Sequence, residues 1–419
     1  MQPDTRGAPP ASKVLAFPAG APEAVRRSRR DPRIDLFRGL ALVMILVTHI
    51  PGNPYEWLTV REIGFSDAAE AFFLMSGIAA GIAYSAAFLR WGDGTGTLWQ
   101  AVGPLWRRAW SLYLVQILLT VWALSLYGWA AETFLRAQFR TNHNIAAIYE
   151  HTGTALGGLG AMGYQIGYVN ILPTYVVLLL AAPLGLWGAI RAPWVTLAVS
   201  TVLWFASGFW RLNLPVTPGQ GGWFLSPFAW QLPFVLGLAI GVRHRQGRRL
   251  VPVARWAVTV ATAFLILAYA WRHVPGLGAF LNHKMAVLGA LGTPWNLVAH
   301  TKTWLGLPRL LHALALLYVL SSMGGLRDIS GRAWGAPLRL LGRQGLLVFG
   351  LGTVLALSCQ ILIAAEPTQA WLRWILPPVA FAILLVAAAL RDGTWPRRPR
   401  PAAAAPSDAA PADRGEAAR

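Results

Sequence analysis

One cysteine, Cys359, is the chain's whole thiol content, so neither an internal disulfide nor a thiolate metal cluster can form, and the residue reads as a small buried side chain. Charge is scarce as well, since Asp, Glu, Lys and Arg make up 13% of the residues. Within that small share acids are few: 17 against 36 basic residues, a formal net charge of +19 at pH 7. So basic a chain invites a nucleic-acid reading. Its Lys and Arg, however, flank apolar runs instead of forming one face of a soluble domain, which argues against that partner. The residue-by-residue alternation of a β-barrel is missing, and no internal repeat joins the two halves. No small-residue cleavage site follows the first apolar run, which continues HIPGNP, so that run is read as a retained span.

What is abundant is apolar surface: 55% hydrophobic residues, 21 Trp and a mean hydropathy of +0.47. The apolar runs are about 17–22 residues long, the length that crosses a hydrocarbon layer of about 30 Å. A backbone in lipid must satisfy its own hydrogen bonds, so these runs predict helices. The expected fold is all-α, a polytopic membrane protein with about ten spans near 34–50, 68–89, 104–127, 170–190, 193–210, 228–242, 252–271, 310–325, 345–364 and 371–390. An even number puts both termini on one side. The tails and alternate short loops hold 27 of the 36 Lys and Arg, the opposite side nine, so the positive-inside rule makes both termini cytoplasmic. The longer connections near 128–169, 211–227 and 272–309 then face outward. Residues 1–32 and 392–419, rich in Pro, Ala and Arg, read as disordered tails on a membrane domain spanning 33–391.

Ionisable residues at membrane depth are costly, and between Arg33 and Gly77 five lie within or open the first two apolar runs: Asp35, Arg38, His49, Asp67 and Glu70. Arg38 and His49, 11 residues apart, return to within about 20° of one helix face, and Asp35 lies about 40° off it. The rise between Arg38 and His49 is roughly 16 Å, which puts one near each end of the first span. The structural alternative has Arg38 snorkelling to the interface and His49 capping the helix before Pro51. Asp67 and Glu70 open the second span at i and i+3, where they share a face. They also fit a capping box. Both readings can hold together, since a capped carboxylate is a preorganised partner for an imidazole. A neutral His49 beside it could then act as general base toward a hydroxyl.

The segment from Asp35-Leu-Phe-Arg38 to His49 resembles the Asp-x-x-Arg and following His of integral-membrane acyltransferases. Glu70-Ala-Phe-Phe-Leu-Met-Ser76-Gly77 is similar to the opening of that superfamily's second helix, with Glu where many members have Asp. Within it the chain most resembles the OpgC branch, on HIPGNPYEWLTVREIGFSDAAEAFF, NILPTYVVLLLAAPL, SPFAWQLPFVLG and TKTWLGLPRLLHALALLYVL. The resemblance implies transfer of a succinyl group from a cytoplasmic donor, succinyl-CoA or another acyl-CoA, to glucose hydroxyls of osmoregulated periplasmic glucans. It also implies the inner membrane of a Gram-negative bacterium, with the acyl-CoA as substrate and no bound cofactor. Carried over, His49 becomes the catalytic base, Arg38 and Asp35 its same-helix supporting charges, and Glu70 the acidic element of the second span. Asp67 joins them on spacing alone.

Further residues are expected around that centre. Arg107, Arg108 and Arg343 on inner loops suit a donor's phosphates, or serve only as positive-inside flanks. Gln231, between two prolines of a short span, is a pocket residue or an interhelical hydrogen-bonding group. Lys302, Arg309 and His312 are acceptor- or donor-contact residues, with His312 alternatively a satisfied packing histidine, and Trp57, like Tyr168, is one of several outer aromatics that stack on sugars or join the interfacial belt. His143, Glu150 and His151 have no metal-like spacing and receive no role; no metal site is expected. Gly77 and Gly81 read as a close helix contact. The expected mechanism is direct attack, because no Ser or Cys is visibly paired with a base. The rivals are a secondary transporter or channel, whose sites also use buried His, Arg and Glu, and a non-catalytic partner of glucan-modifying enzymes.

Overall fold

The computed structural model describes residues 31–393. The expected tails, 1–32 and 392–419, lie outside the described residues except at their inner edges. Among the described residues the architecture is helical, with a single isolated β-bridge between Pro215 and Gly222. The principal helices are α1 (Pro32–Thr48), α2 (Ala68–Gly92), α3 (Leu98–Phe134), α4 (Ile171–Arg191), α5 (Pro193–Phe209), α6 (Pro227–Arg245), α7 (Arg255–His273), α8 (Pro275–Ala290), α9 (Leu307–Ser322), α10 (Ala336–Arg343), α11 (Gly345–Ala365) and α12 (Leu372–Asp392).

Local chemistry sets many of the starts. Asp67 with Glu70, and Thr97 with Gln100, form capping boxes on α2 and α3. Proline occupies the first or second position of α5, α6, α8, α9 and α10, where its missing N–H has no helical partner to lose.

Each of the ten expected segments overlaps one of these helices, and among the described residues α2, α3, α4, α11 and α12 are long and apolar enough by length and composition to cross a membrane. The α7–α8 pair, bent by 104°, adds a sixth if it counts as one span. The other expected spans are shorter or end in charge: α1 and α5 are 17 residues long and α9 is 16, while α6 closes on Arg243, His244 and Arg245. The helix α8 occupies a stretch that the sequence presents as an outer connection.

Two glycine contacts fix the centre of the bundle. Gly77 and Gly81 on α2 face Gly237 and Gly241 on α6, and a Cβ on any of the four would overlap backbone of the opposite helix. Backbone-to-backbone approach of this kind is the usual result of paired G-x-x-x-G segments. On α1, Gly39 meets α10 at Gly342 and the Leu338 carbonyl in the same manner. Helix α1 is thereby clasped against α2, α10 and α11, with Leu36, Leu42 and Leu46 buried.

Candidate active site

Helix α1 ends at Thr48, and Pro51 cannot continue it. The last carbonyls of a helix need partners from elsewhere. Here Asn53 Nδ2 donates to the carbonyls of Val47 (2.8 Å) and Ile50 (2.5 Å), and Gln360 Nε2 from α11 donates to that of His49 (2.6 Å). Two amide side chains therefore do the capping, and the His49 imidazole takes no part in it. Its Nδ1 has no hydrogen-bond partner among the described residues, and its ring packs edge-on to Tyr168 with centroids 4.8 Å apart.

Beside this end lies a buried ion cluster. Asp67 Oδ1 accepts from the Ala69 amide (2.8 Å), and Glu70 Oε2 from the Asp67 amide (2.9 Å), closing the capping box. Each carboxylate keeps its other oxygen for a cation. Lys302 Nζ lies 2.6 Å and Arg309 Nη2 3.2 Å from Asp67 Oδ2, while Glu70 Oε1 accepts from Arg309 Nε (2.8 Å) and lies 2.7 Å from its Nη2. Two charges of each sign cancel, which is the condition for burying any of them. Burial alone would raise the Asp67 carboxyl, but the Lys302 and Arg309 cations outweigh it and hold that group well below the usual carboxylate range.

Capping and ion pairing are thus both present at Asp67 and Glu70, and their occupation has a consequence for His49. The hydrogen bond expected from a carboxylate to the imidazole is not made. Lys302 and Asp67 act on His49 through their fields instead.

His312, three residues beyond Arg309 on α9, is fully buried, with Nδ1 2.7 Å from the Ser66 hydroxyl. Ser66 immediately precedes Asp67, so this contact ties the start of α2 to α9 and sets the register of the ion cluster. It also supplies a Ser–His pair that linear sequence could not display.

At the other end of α1 a cavity of about 330 Å³ opens, lined by Arg38, Arg108, Arg343 and Arg391 with Tyr84 and Gln344. Leu42, Phe72, Tyr175 and Phe349 also line it and give it an apolar part. Arg343 also pairs with Asp392 at 2.9 Å. Several guanidinium forks around one space suit a polyanion such as a phosphate chain. Arg38 therefore belongs to this cavity, roughly 16 Å along the helix from His49. The resemblance makes Arg38 a supporting charge for His49; Arg38 lines this cavity, and His49 is not among the lining residues. Asp35 is buried one turn before Arg38, its carbonyl against Gly342.

The model of the OpgC protein family matches residues 30–395, nearly the whole chain. The chain belongs to the OpgC family. No curated protein matches it. Membership in the OpgC family points to a membrane acyltransferase type of function directed at glucans.

In this OpgC-family chain the remaining expected residues divide. Arg108 and Arg343 line the arginine cavity, whereas Arg107, one position round the helix, faces a separate depression with Trp99 and Pro104. Gln231 lines neither space. Its carbonyl accepts from the Ser200 hydroxyl (2.5 Å) and its amide donates to the Ser200 carbonyl (2.7 Å), so it joins α6 to α5. Trp57 is 69% exposed on a short 3-10 turn at the His49 end. Among the described residues no three His, Cys, Asp or Glu side chains group so as to hold a metal ion.

Sequence reasoning passed over Gln360, Tyr127, Ser66 and Arg391, and offered Tyr168 only as one of the outer aromatics that stack on sugars or join the interfacial belt. Of these only Gln360, a lone amide inside an apolar run, carried a signal that could have been used.

Proposed function

We propose that the chain is an O-acyltransferase that moves a succinyl group from a cytoplasmic acyl-CoA to glucose hydroxyls of osmoregulated periplasmic glucans, across an inner membrane spanned about ten times with both termini inside. The observation that carries this reading is the placement of two unlike polar centres on one helix. Arginines suited to a donor's phosphates gather at the Arg38 end of α1, and an imidazole beside a neutralised ion cluster stands at the other.

In this reading the donor's phosphates meet Arg38, Arg108, Arg343 and Arg391, and its acyl arm follows the apolar wall past Leu42 and Phe72. A glucan hydroxyl at the opposite end gives its proton to His49, and its oxygen attacks the thioester carbonyl. The carbon–sulfur bond breaks, the imidazolium returns the proton to the thiolate, and the products are a glucan ester and free thiol. Lys302, paired with Asp67 and acting on His49 through its field, is the cation assigned to the negative charge that develops on the carbonyl oxygen.

The test compares periplasmic glucans from cells making the wild-type protein or His49→Ala at matched membrane levels. The reading expects anionic acyl substitution in the first and its loss in the second. Unsubstituted glucans in both would remove glucans as the acceptor.

A further inference from the structure

A general base is commonly held in place by a hydrogen bond to its non-reacting nitrogen. His49 lacks one: Nδ1 has no partner among the described residues, and the carboxylates of Asp67 and Glu70 are taken by Lys302 and Arg309. Its orientation has to come from packing. We propose that Tyr168 and His143, from the connection between α3 and α4, are positioning residues for His49. This inference rests on the reading of His49 as the base.

Three observations support it. First, the rings form a series: His49 to Tyr168 at 4.8 Å, Tyr168 to His143 at 5.2 Å and His143 to Tyr127 at 5.4 Å, each pair steeply inclined. Edge-to-face pairs of this kind have a preferred geometry, which apolar contact alone does not provide. Second, the series closes on itself. The Tyr127 hydroxyl donates to Gln360 Oε1 (3.0 Å), and Gln360 Nε2 donates to the His49 carbonyl (2.6 Å). His49 is thus gripped at its ring by one arm and at its main chain by the other.

Third, the connection adopts disfavoured backbone to present these rings. Non-glycine residues with positive φ number seven among the described residues, and five of them lie in this connection: Leu135 (51°), His143 (59°), Asn144 (68°), Met162 (60°) and Tyr168 (68°). A bulky aromatic residue in the left-handed region is an outlier that surrounding structure must enforce, and such outliers gather at functional sites. Gly167 makes the arrangement possible, because its missing Cβ leaves room for the His143 ring while its amide donates to the His143 carbonyl (3.0 Å).

The experiment uses the purified full-length protein, with succinyl-CoA as donor and a purified periplasmic glucan as acceptor, and follows thiol release with ester formation. Tyr168→Phe keeps the ring and is expected to retain kcat within about twofold, since the edge contact survives. Tyr168→Gly suits the left-handed backbone but deletes the ring. It is expected to lower kcat by about tenfold or more with the donor KM unchanged, because misplacing a base costs rate without costing binding. Its thermal midpoint in detergent is expected to be no lower than that of Tyr168→Ala, which loses the same ring without relief of the backbone.

Wild-type kcat in Tyr168→Gly would overturn the proposal, as would a loss fully accounted for by less folded protein. His49→Ala in the same assay keeps the two readings apart. Activity there would defeat the assignment of the base itself, whereas an inactive His49→Ala beside a fully active Tyr168→Gly would defeat only the positioning role.

Discussion

Arg309 donates to Glu70 through Nε and also reaches Asp67, so removing it strands the Glu70 carboxylate, while Asp67 keeps Lys302, in a site that is almost closed to water. Arg309→Met is expected to destabilise the protein by about 3–5 kcal/mol, because it leaves a buried charge uncompensated. Chemical unfolding in detergent would measure this, and a cost below about 1 kcal/mol would show that the cluster is hydrated. The depressed Asp67 carboxyl adds a pH signature. A group whose folded pKa lies below its unfolded value contributes stability above the ordinary pKa and loses it as pH falls through the folded one. Thermal midpoints taken from about pH 6 down to about pH 3 should therefore fall more steeply for wild type than for Asp67→Asn. The capping box was legible because its residues are three apart. Its cationic half was not, because Lys302 and Arg309 reach α2 from more than 230 positions away and only folding selects the pairing.

Helices α2 and α6 touch through glycine on both sides, so a side chain at Gly77 or Gly237 has nowhere to go but into the partner's backbone. Gly77→Leu is expected to separate the helices at a cost of about 1–3 kcal/mol or more and to lower the yield of folded protein. Leucine at Gly94, whose Cβ would meet nothing, serves as a control for hydrophobic bulk, although its positive φ (72°) adds a backbone penalty of its own. A thermal midpoint for Gly77→Leu equal to wild type would contradict the close approach. The α2 glycines were visible as a pattern in one segment; that Gly237 and Gly241 answer them appears only once the helices cross. Helix α8 was missed because Pro275 starts it directly after α7, and a run bent by 104° has no single apolar period.

At the scale of the molecule, α1 carries the account, with an arginine cavity at one end and His49 at the other. The spacing of Arg38 and His49 gave the common face and the distance. It could not reveal that each residue joins a different centre, since Arg108, Arg343 and Arg391 arrive from three other helices. Separate centres predict separable kinetics. Arg391→Ala is expected to raise the donor KM about tenfold while leaving kcat within about twofold, the loss of one charge-assisted contact. A fall in kcat at unchanged donor KM would place Arg391 outside the donor site. The most direct measurement is single-turnover transfer by the purified full-length protein, with succinyl-CoA and glucan mixed and the ester quantified. Wild type is expected to form one ester per thiol released, and His49→Ala to react about 10²–10⁴-fold more slowly at equal folded protein. An unchanged rate in that variant would contradict His49 as the base.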